Sequence, residues 1–97
     1  MSAPLTLIAQ MRAKPGQQDR LRMELQRLVA PTRAEAGCIA YDLHQSLTDP
    51  ALFLFYEIWK SQSDLDAHFE TPHLTALAKI LPELLEGGMD LSKWAKV

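Results

Sequence analysis

The sequence has little or none of several features that mark large functional classes. It contains one cysteine, Cys38, so it forms no intrachain disulfide, which is typical of the reducing cytoplasm. Its four glycines form no phosphate-binding loop, and it has neither a Cys-x-x-Cys nor a Gly-x-Ser-x-Gly motif. No apolar run approaches the roughly 18 residues of a membrane helix, and the first ten residues do not resemble a signal peptide. These absences predict a cytoplasmic protein with no membrane segment.

Net charge and chain length further limit the kinds of protein that this sequence can encode. The formal net charge of −2 argues against binding to nucleic acid or anionic membranes. Six of the ten basic residues lie in residues 1–33, where a solvated helix face is the simpler explanation than an anionic partner. The 97 residues fit one domain, 1–97, with an ordinary apolar fraction of 47%. A core of this size is modest, so pairing with another subunit would add stability.

The apolar periodicity predicts a strand, a helix, two strands, a pair of helices and a final strand. The predicted strands are residues 5–13, 38–45, 52–59 and, least regular, 89–97. Helices are predicted over residues 17–36, after a cap at Ser61, and after a Thr71-Pro72 restart. We expect Pro31 to kink or shorten the first helix and Gly37 to end it. We expect Pro82 to break the last helix.

This order of elements predicts the α+β ferredoxin-like fold, βαββαβ, with a four-stranded antiparallel sheet and helices on one face. The strand at 52–59 is apolar on both sides, with Phe53, Phe55 and Trp59 on one and Leu54, Tyr56 and Ile58 on the other. A strand with one wet face should alternate between polar and apolar residues. We therefore expect a homodimer in which a second copy of the chain covers the face without helices.

Several titratable side chains are candidates for chemistry. His68 and His73 flank the helix restart, and histidine is the side chain best matched to proton transfer near neutral pH. Their spacing of five does not place them on one helical face, so we expect no metal pair and no metal site. Each is alternatively a helix-capping or backbone-bonding residue. Cys38 is more typical of a small core residue than of a nucleophile.

A carboxylate and an indole share one strand face two residues apart. Glu57 beside Phe55 and Trp59 is costly to bury unless it is paired or lines a polar pocket. Trp59 suits the wall of a pocket for a flat aromatic ligand. On physical grounds alone, a core or dimer-interface tryptophan is slightly better supported.

Three segments together resemble the antibiotic biosynthesis monooxygenase family, including its small quinol-monooxygenase-like members. They are Gly37-Cys-Ile-Ala-Tyr41, Pro50-Ala-Leu-Phe-Leu-Phe-Tyr-Glu57-Ile-Trp59 and Leu65-Asp-Ala-His68-Phe69-Glu-Thr-Pro-His73. The resemblance implies a dimeric α/β-barrel of two ferredoxin-like units packed sheet to sheet. For some members it implies oxygenation of quinols or anthrone-like polyketides by O₂ without flavin, haem or metal. It therefore implies no cofactor, with molecular oxygen as co-substrate.

The resemblance also assigns roles to residues of this chain. Trp59 matches the pocket tryptophan, His68 and His73 the helix histidines, and Tyr41 a strand tyrosine. We expect His68, His73 and Trp59 to be catalytic, and a substrate pocket formed by Tyr41, Phe55, Glu57, Leu65 and Phe69. Phe55 and Leu65 stand where polyketide-oxygenating members have asparagine and tyrosine, which argues against an anthrone. Haem-degrading relatives use an asparagine, and this chain has none.

Two functional interpretations remain open from the sequence. The first is a cofactor-independent monooxygenase that oxidises a small quinol-like or polyketide-like aromatic with O₂. The second is a non-oxygenase role on the same scaffold, either a small-molecule binding or stress-response module or an isomerase. Fold alone does not separate them, because one scaffold hosts several activities.

Overall fold

The computed structural model describes residues 4–97 and contains a four-stranded antiparallel sheet and three helices. The elements are β1 (Leu5–Arg12), α1 (Gln18–Arg33), β2 (Cys38–Gln45), β3 (Leu52–Trp59), α2 (Gln62–Phe69), α3 (Pro72–Leu84) and β4 (Asp90–Trp94). The strands lie in the order β2-β3-β1-β4. The predicted ferredoxin-like fold is confirmed. Residues 1–3, part of the N-terminal stretch compared with signal peptides, lie outside the described residues.

The two predicted helix starts are confirmed by their caps. Ser61 precedes α2, and its side-chain oxygen accepts the amide of Asp64 at 3.2 Å. Thr71 precedes α3 and accepts the amide of Leu74 at 3.4 Å, with Pro72 in the first turn. Each cap satisfies an amide that has no partner inside its helix.

Pro82 was expected to break its helix, and this expectation is wrong; Pro31 was expected to kink or shorten α1, and that helix does end at Arg33, before the predicted residue 36. Pro31 lies inside α1, which continues to Arg33, and Pro82 lies inside α3, which continues to Leu84. Each proline falls within the last turn, so few helical hydrogen bonds depend on the residues that follow it. Burial of Thr32 and Leu84, each 0% exposed, holds these final residues in place.

Gly37 does not end α1, which is a second correction. The helix ends at Arg33, and Ala34 is its C-cap in the right-handed helical conformation. A Cβ atom on Gly37 would instead overlap the side chain of Asp64 in the first turn of α2. Glycine is required here because the segment after α1 passes directly against the start of α2.

The helices cover one face of the sheet. The odd-numbered side chains of β1 and β3 point to this face, and they join leucines from all three helices in one core. On the opposite face Ile8, Leu54 and Ile58 are only half-buried, and Tyr56 is exposed. All five residues of β4 are exposed. Within residues 4–97, no helix is both long enough and apolar enough to span a membrane.

Candidate active site

A cavity of about 220 Å³ lies between the helix-covered face of the sheet and helices α1 and α3. Aliphatic side chains of β1, α1 and α3 form most of its wall. Four side chains with polar groups interrupt that apolar lining: Tyr41, Glu57, His68 and Thr75. A mostly apolar pocket with a few convergent polar groups is the usual form of a small-molecule site.

The structure places five of the eight predicted site residues at this cavity. They are Tyr41, Phe55, Glu57, His68 and Phe69. The other three lie outside its lining: Trp59, Leu65 and His73. Leu65 is a fully buried core residue, and Trp59 is fully buried among residues that do line the cavity. His73 lines a separate surface depression between α1 and α3.

Tyr41 forms an aromatic part of the wall. Its ring stacks on Phe55 with centroids 4.4 Å apart, and it meets Trp59 edge-on at 6.4 Å. Burial raises the pKa of the Tyr41 hydroxyl far above its usual value, and the nearby Glu57 carboxylate adds to the shift. The Tyr41 hydroxyl therefore remains protonated near neutral pH.

Glu57 is a buried carboxyl group with one fixed partner. The indole Nε1 of Trp59 donates a hydrogen bond to Oε1 of Glu57 at 2.8 Å. Burial raises the pKa of Glu57 to about 7, although the indole hydrogen bond acts in the opposite direction. Because Oε1 is engaged, Oε2 is the oxygen left for a ligand in the cavity. Near neutral pH this carboxyl group exchanges readily between acid and carboxylate.

The two helix histidines meet at a third residue that the sequence analysis did not identify. Nδ1 of His68 lies 2.7 Å from Oε2 of Glu35, and Nε2 of His73 lies 2.8 Å from the same oxygen. The two histidines lie on different helices, in agreement with the spacing argument, yet both reach the same carboxylate. Each imidazole donates one proton to a single carboxylate oxygen when both rings are neutral.

Glu35 was missed because its contacts are far apart in sequence. It follows the end of α1, 33 residues before His68, and no local motif marks it. One feature of the sequence could have indicated Glu35. A carboxylate just beyond a helix C-terminus is electrostatically unfavourable, so it is expected to bind a hydrogen-bond donor from elsewhere in the fold. The two histidines are that donor pair.

The contact with Glu35 fixes the state of the His68 ring. With Nδ1–H donating to the carboxylate, Nε2 is the nitrogen left to accept a proton. Trp59 packs against the ring with centroids 4.6 Å apart, and only 2% of His68 is exposed. Burial lowers the pKa of His68, although the Glu35 hydrogen bond opposes that shift. His68 is thus an oriented imidazole in the cavity wall, and its burial favours the neutral form.

Cys38 heads β2 and is half-buried. Burial is the main cause that raises the pKa of its thiol, and the charge of Glu35 adds to it. A thiol that resists ionisation is a poor nucleophile, in keeping with its expected role as a small packing residue.

Comparison with known proteins places this chain in a family. The family model described as antibiotic biosynthesis monooxygenase matches residues 4–80. Rv0793 of Mycobacterium tuberculosis, provisionally named a monooxygenase, is 38% identical over 85 residues, 88% of this chain and 83% of that protein. YgiN of Escherichia coli, provisionally named a quinol monooxygenase, is 31% identical over 86 residues, 77% of this chain and 82% of YgiN.

Two further comparisons concern length and structure. Protein sll1783 of Synechocystis, which has no assigned function, is 32% identical over 82 residues, 84% of this chain; the chain spans 56% of that protein's length. The crystal structure of PA3566 from Pseudomonas aeruginosa superposes with a TM-score of 0.95 and 41% identity, covering 100% of this chain and 97% of PA3566. The match of the family model and these relatives agree, and the chain belongs to the antibiotic biosynthesis monooxygenase family.

Proposed function

We propose that the protein is a cofactor-independent monooxygenase that oxidises a small quinol-like aromatic with O₂. The observation that carries the proposal is an apolar cavity with an oriented histidine base, His68, in its wall. The names of Rv0793 and YgiN support the same class of reaction.

The size and lining of the cavity favour a small aromatic substrate. A volume of about 220 Å³ is below the roughly 300–1,000 Å³ of pockets for drug-sized ligands. Phe55 and Tyr41 offer flat apolar surfaces, while Glu57 and His68 offer polar contacts for ring oxygens. A quinol of one or two rings fits this description. Phe55 and the core residue Leu65, where polyketide-oxygenating members have polar residues, argue against an anthrone.

The first step is removal of a proton from the quinol. A phenol with a pKa of about 10 is roughly one part in a thousand ionised at pH 7. Nε2 of His68 accepts the proton, and Glu35 stabilises the imidazolium that results because it already holds Nδ1–H. The apolar wall keeps water from the anion.

The quinol anion then supplies all four electrons that reduce O₂. A ring carbon forms a bond to one oxygen atom, which gives a hydroperoxide. The O–O bond then breaks, one oxygen atom stays on the ring and the other leaves as water with two protons from the quinol. A hydroquinone and O₂ become a hydroxyquinone and water. We propose that no flavin, haem or metal takes part, since the electron-rich ring itself reduces O₂.

Glu57 and Tyr41 bind the remaining oxygen of the substrate. Tyr41 donates a hydrogen bond, because its hydroxyl stays protonated, and Oε2 of Glu57 accepts or donates according to its protonation. The indole of Trp59 holds Glu57 in place from behind the cavity wall. Trp59 is in this account a positioning residue.

We also propose that the protein is a homodimer through the open face of the sheet. Tyr56 on β3 is 37% exposed and Trp94 on β4 is 60% exposed, beside the half-buried Leu54 and Ile58. An apolar strip of this kind is unusual on the surface of a monomer. If a second copy packs here about a two-fold axis, the apolar strip of each chain is covered by the other chain.

Oxygen uptake tests the proposed activity. Metal-stripped protein should accelerate O₂ consumption by at least one member of a panel of hydroquinones and naphthoquinols. His68→Gln should remove most of the acceleration, and His44→Gln, which changes an exposed histidine on β2, should leave it intact. No acceleration by any quinol would refute the oxygenase proposal and favour the binding-module or isomerase interpretation.

A further inference from the structure

Three side chains from separate segments converge on one point beside the cavity. Glu35 follows α1, His68 lies near the end of α2, and His73 lies in the first turn of α3. One ligand atom from each residue lies within 4.8 Å of the other two. The contacts to Oε2 of Glu35 are 2.7 Å from His68 and 2.8 Å from His73.

These atoms are the donor set that borderline transition metals prefer. Two neutral imidazoles and one carboxylate bind Zn²⁺ and its neighbours in the first transition row, and the carboxylate cancels part of the ion's charge. Bonds of about 2.0–2.2 Å in tetrahedral geometry place ligand atoms roughly 3.3 Å apart. The two nitrogen-to-oxygen contacts therefore need to widen by about half an ångström, and the two histidine nitrogens, which lie within 4.8 Å of each other, need to reach the same spacing.

The cluster also has a route to solvent. The side chain of His73 is 22% exposed and that of Glu35 is 15% exposed, whereas that of His68 is 3% exposed. His68 is thus the most enclosed member, and Glu35 and His73 lie closer to solvent. Because the cluster borders solvent, water is the expected source of a fourth ligand.

We propose that Glu35, His68 and His73 form a binding site for a divalent transition-metal ion, with Zn²⁺ as its representative. Neither imidazole needs to lose its proton. The proton on Nδ1 of His68 moves to Nε2, and the proton on Nε2 of His73 moves to Nδ1, so that each ring offers a lone pair to the metal.

This rearrangement has a consequence that rests on the proposed function. In the metal-free protein, Nε2 of His68 is the proton acceptor of the cavity. With the metal on Nδ1, Nε2 carries a proton and becomes a donor. The ion therefore switches off the base that starts quinol oxidation. Metal binding at this site inhibits the enzyme, and a chelator restores it.

Direct binding measurements test the site independently of activity. Tag-free, metal-stripped protein is titrated with ZnCl₂ by calorimetry and with CoCl₂ by visible absorption, which reports tetrahedral coordination. We expect one ion per chain. His73→Gln and Glu35→Gln should each weaken binding by more than about 100-fold, since even a residue that only supports a ligand is worth 10–100-fold. His44→Gln is the matched control and should bind like the wild type.

Weakened metal binding by a variant counts as evidence only if the variant is folded. Circular dichroism and the melting temperature without metal must match the wild type, and His73→Gln, at the more exposed histidine, is the variant least expected to disturb the fold. Failure of the wild type to bind either ion, or unchanged binding by His73→Gln, would overturn the metal site. Zinc binding without any quinol oxidation would refute only the proposed function. If the protein binds zinc and its quinol oxidation is not inhibited, the proposed inhibition by metal is refuted.

Discussion

The two faces of the sheet are built from the same strands but differ in what they cover and what they can do. On β3, Phe55 is 2% exposed against the helices, and its neighbour Tyr56 is 37% exposed on the other side. The covered face holds the cavity, the raised pKa of Glu57 and the Glu35–His68–His73 cluster. The open face holds an apolar strip with no cavity of comparable enclosure among residues 4–97.

With the proposed homodimer, β3 is apolar on its two sides for two separate reasons. Burial against helices creates a low-dielectric space in which carboxyl and imidazole groups change their pKa values. Burial against a second copy of the chain requires only shape and apolar area. We therefore assign chemistry to the covered face and assembly to the open one.

The largest expected effect is a loss of folding stability when a charge is placed on the covered face of the sheet. Phe55→Asp puts an unpaired carboxylate beside Tyr41, and this should cost more than about 4 kcal/mol of folding free energy. We expect an unfolded protein by circular dichroism. Tyr56→Asp is the matched control on the open face and should stay folded but sediment as a 10.9 kDa monomer. A folded Phe55→Asp variant would contradict the assignment of the faces.

The next largest effect is on the rate of quinol oxidation when the proposed base, His68, is replaced. His68→Gln should lower the rate of quinol oxidation by about 10²–10⁴-fold, the usual contribution of general-base catalysis. Steady-state O₂ consumption measures it, with His44→Gln as the control from the other face. A His68→Gln variant with the wild-type rate would place the base elsewhere, with Glu57 as the next candidate.

A smaller effect concerns the dependence of stability on pH. The pKa of Glu57 is about 7 in the folded state against a reference of 4.5. The unfolded chain therefore ionises this group first, so its contribution is fully present below pH 4.5 and is lost as the pH rises to about 7. The loss amounts to roughly 3 kcal/mol.

Comparison of two variants isolates that contribution from those of the neighbouring Tyr41 and His68. Denaturant unfolding between pH 4 and 8 should show the decline in the wild type and its absence in Glu57→Gln. Glu70→Gln, at an exposed carboxylate, should keep the wild-type slope. Equal slopes in all three proteins would mean that Glu57 is not protonated on folding.

The smallest effect concerns the indole that holds Glu57. Trp59→Phe removes the hydrogen bond to Oε1, and because that bond favours the carboxylate, its loss should raise the pKa of Glu57 further. Carbon-detected NMR titration of the glutamate carboxyl groups measures this shift. An unchanged or lowered pKa would show that the indole does not act on Glu57.

The sequence was sufficient for the parts of the fold that depend on local chemistry. The apolar patterns of β1 and β3 and the caps at Ser61 and Thr71 are local, and the structure has these strands and caps as predicted. Pro82 was misjudged because packing of Leu84 in the core holds the helix beyond it. Tertiary contacts of this kind have no signature in a window of a few residues.

The sequence predicted individual residues of the site but not how they come together. Glu57 and Trp59 were paired from their positions on one strand face, and the structure joins them by a hydrogen bond. Glu35 was not identified, because its contacts with His68 and His73 join residues 33 and 38 positions apart in the sequence. The cavity itself forms between elements distant in sequence, so its volume follows from the packing of whole helices.

Isotopic labelling tests the central claim most directly. Metal-stripped protein is supplied with a quinol that it oxidises under ¹⁸O₂, and the product and the solvent water are analysed by mass spectrometry. The account predicts one ¹⁸O atom in each hydroxyquinone and the other in water, in protein free of flavin and haem. Product without ¹⁸O, with the label recovered only in water or hydrogen peroxide, would contradict it, because O₂ would then be an electron acceptor and not a source of the inserted oxygen.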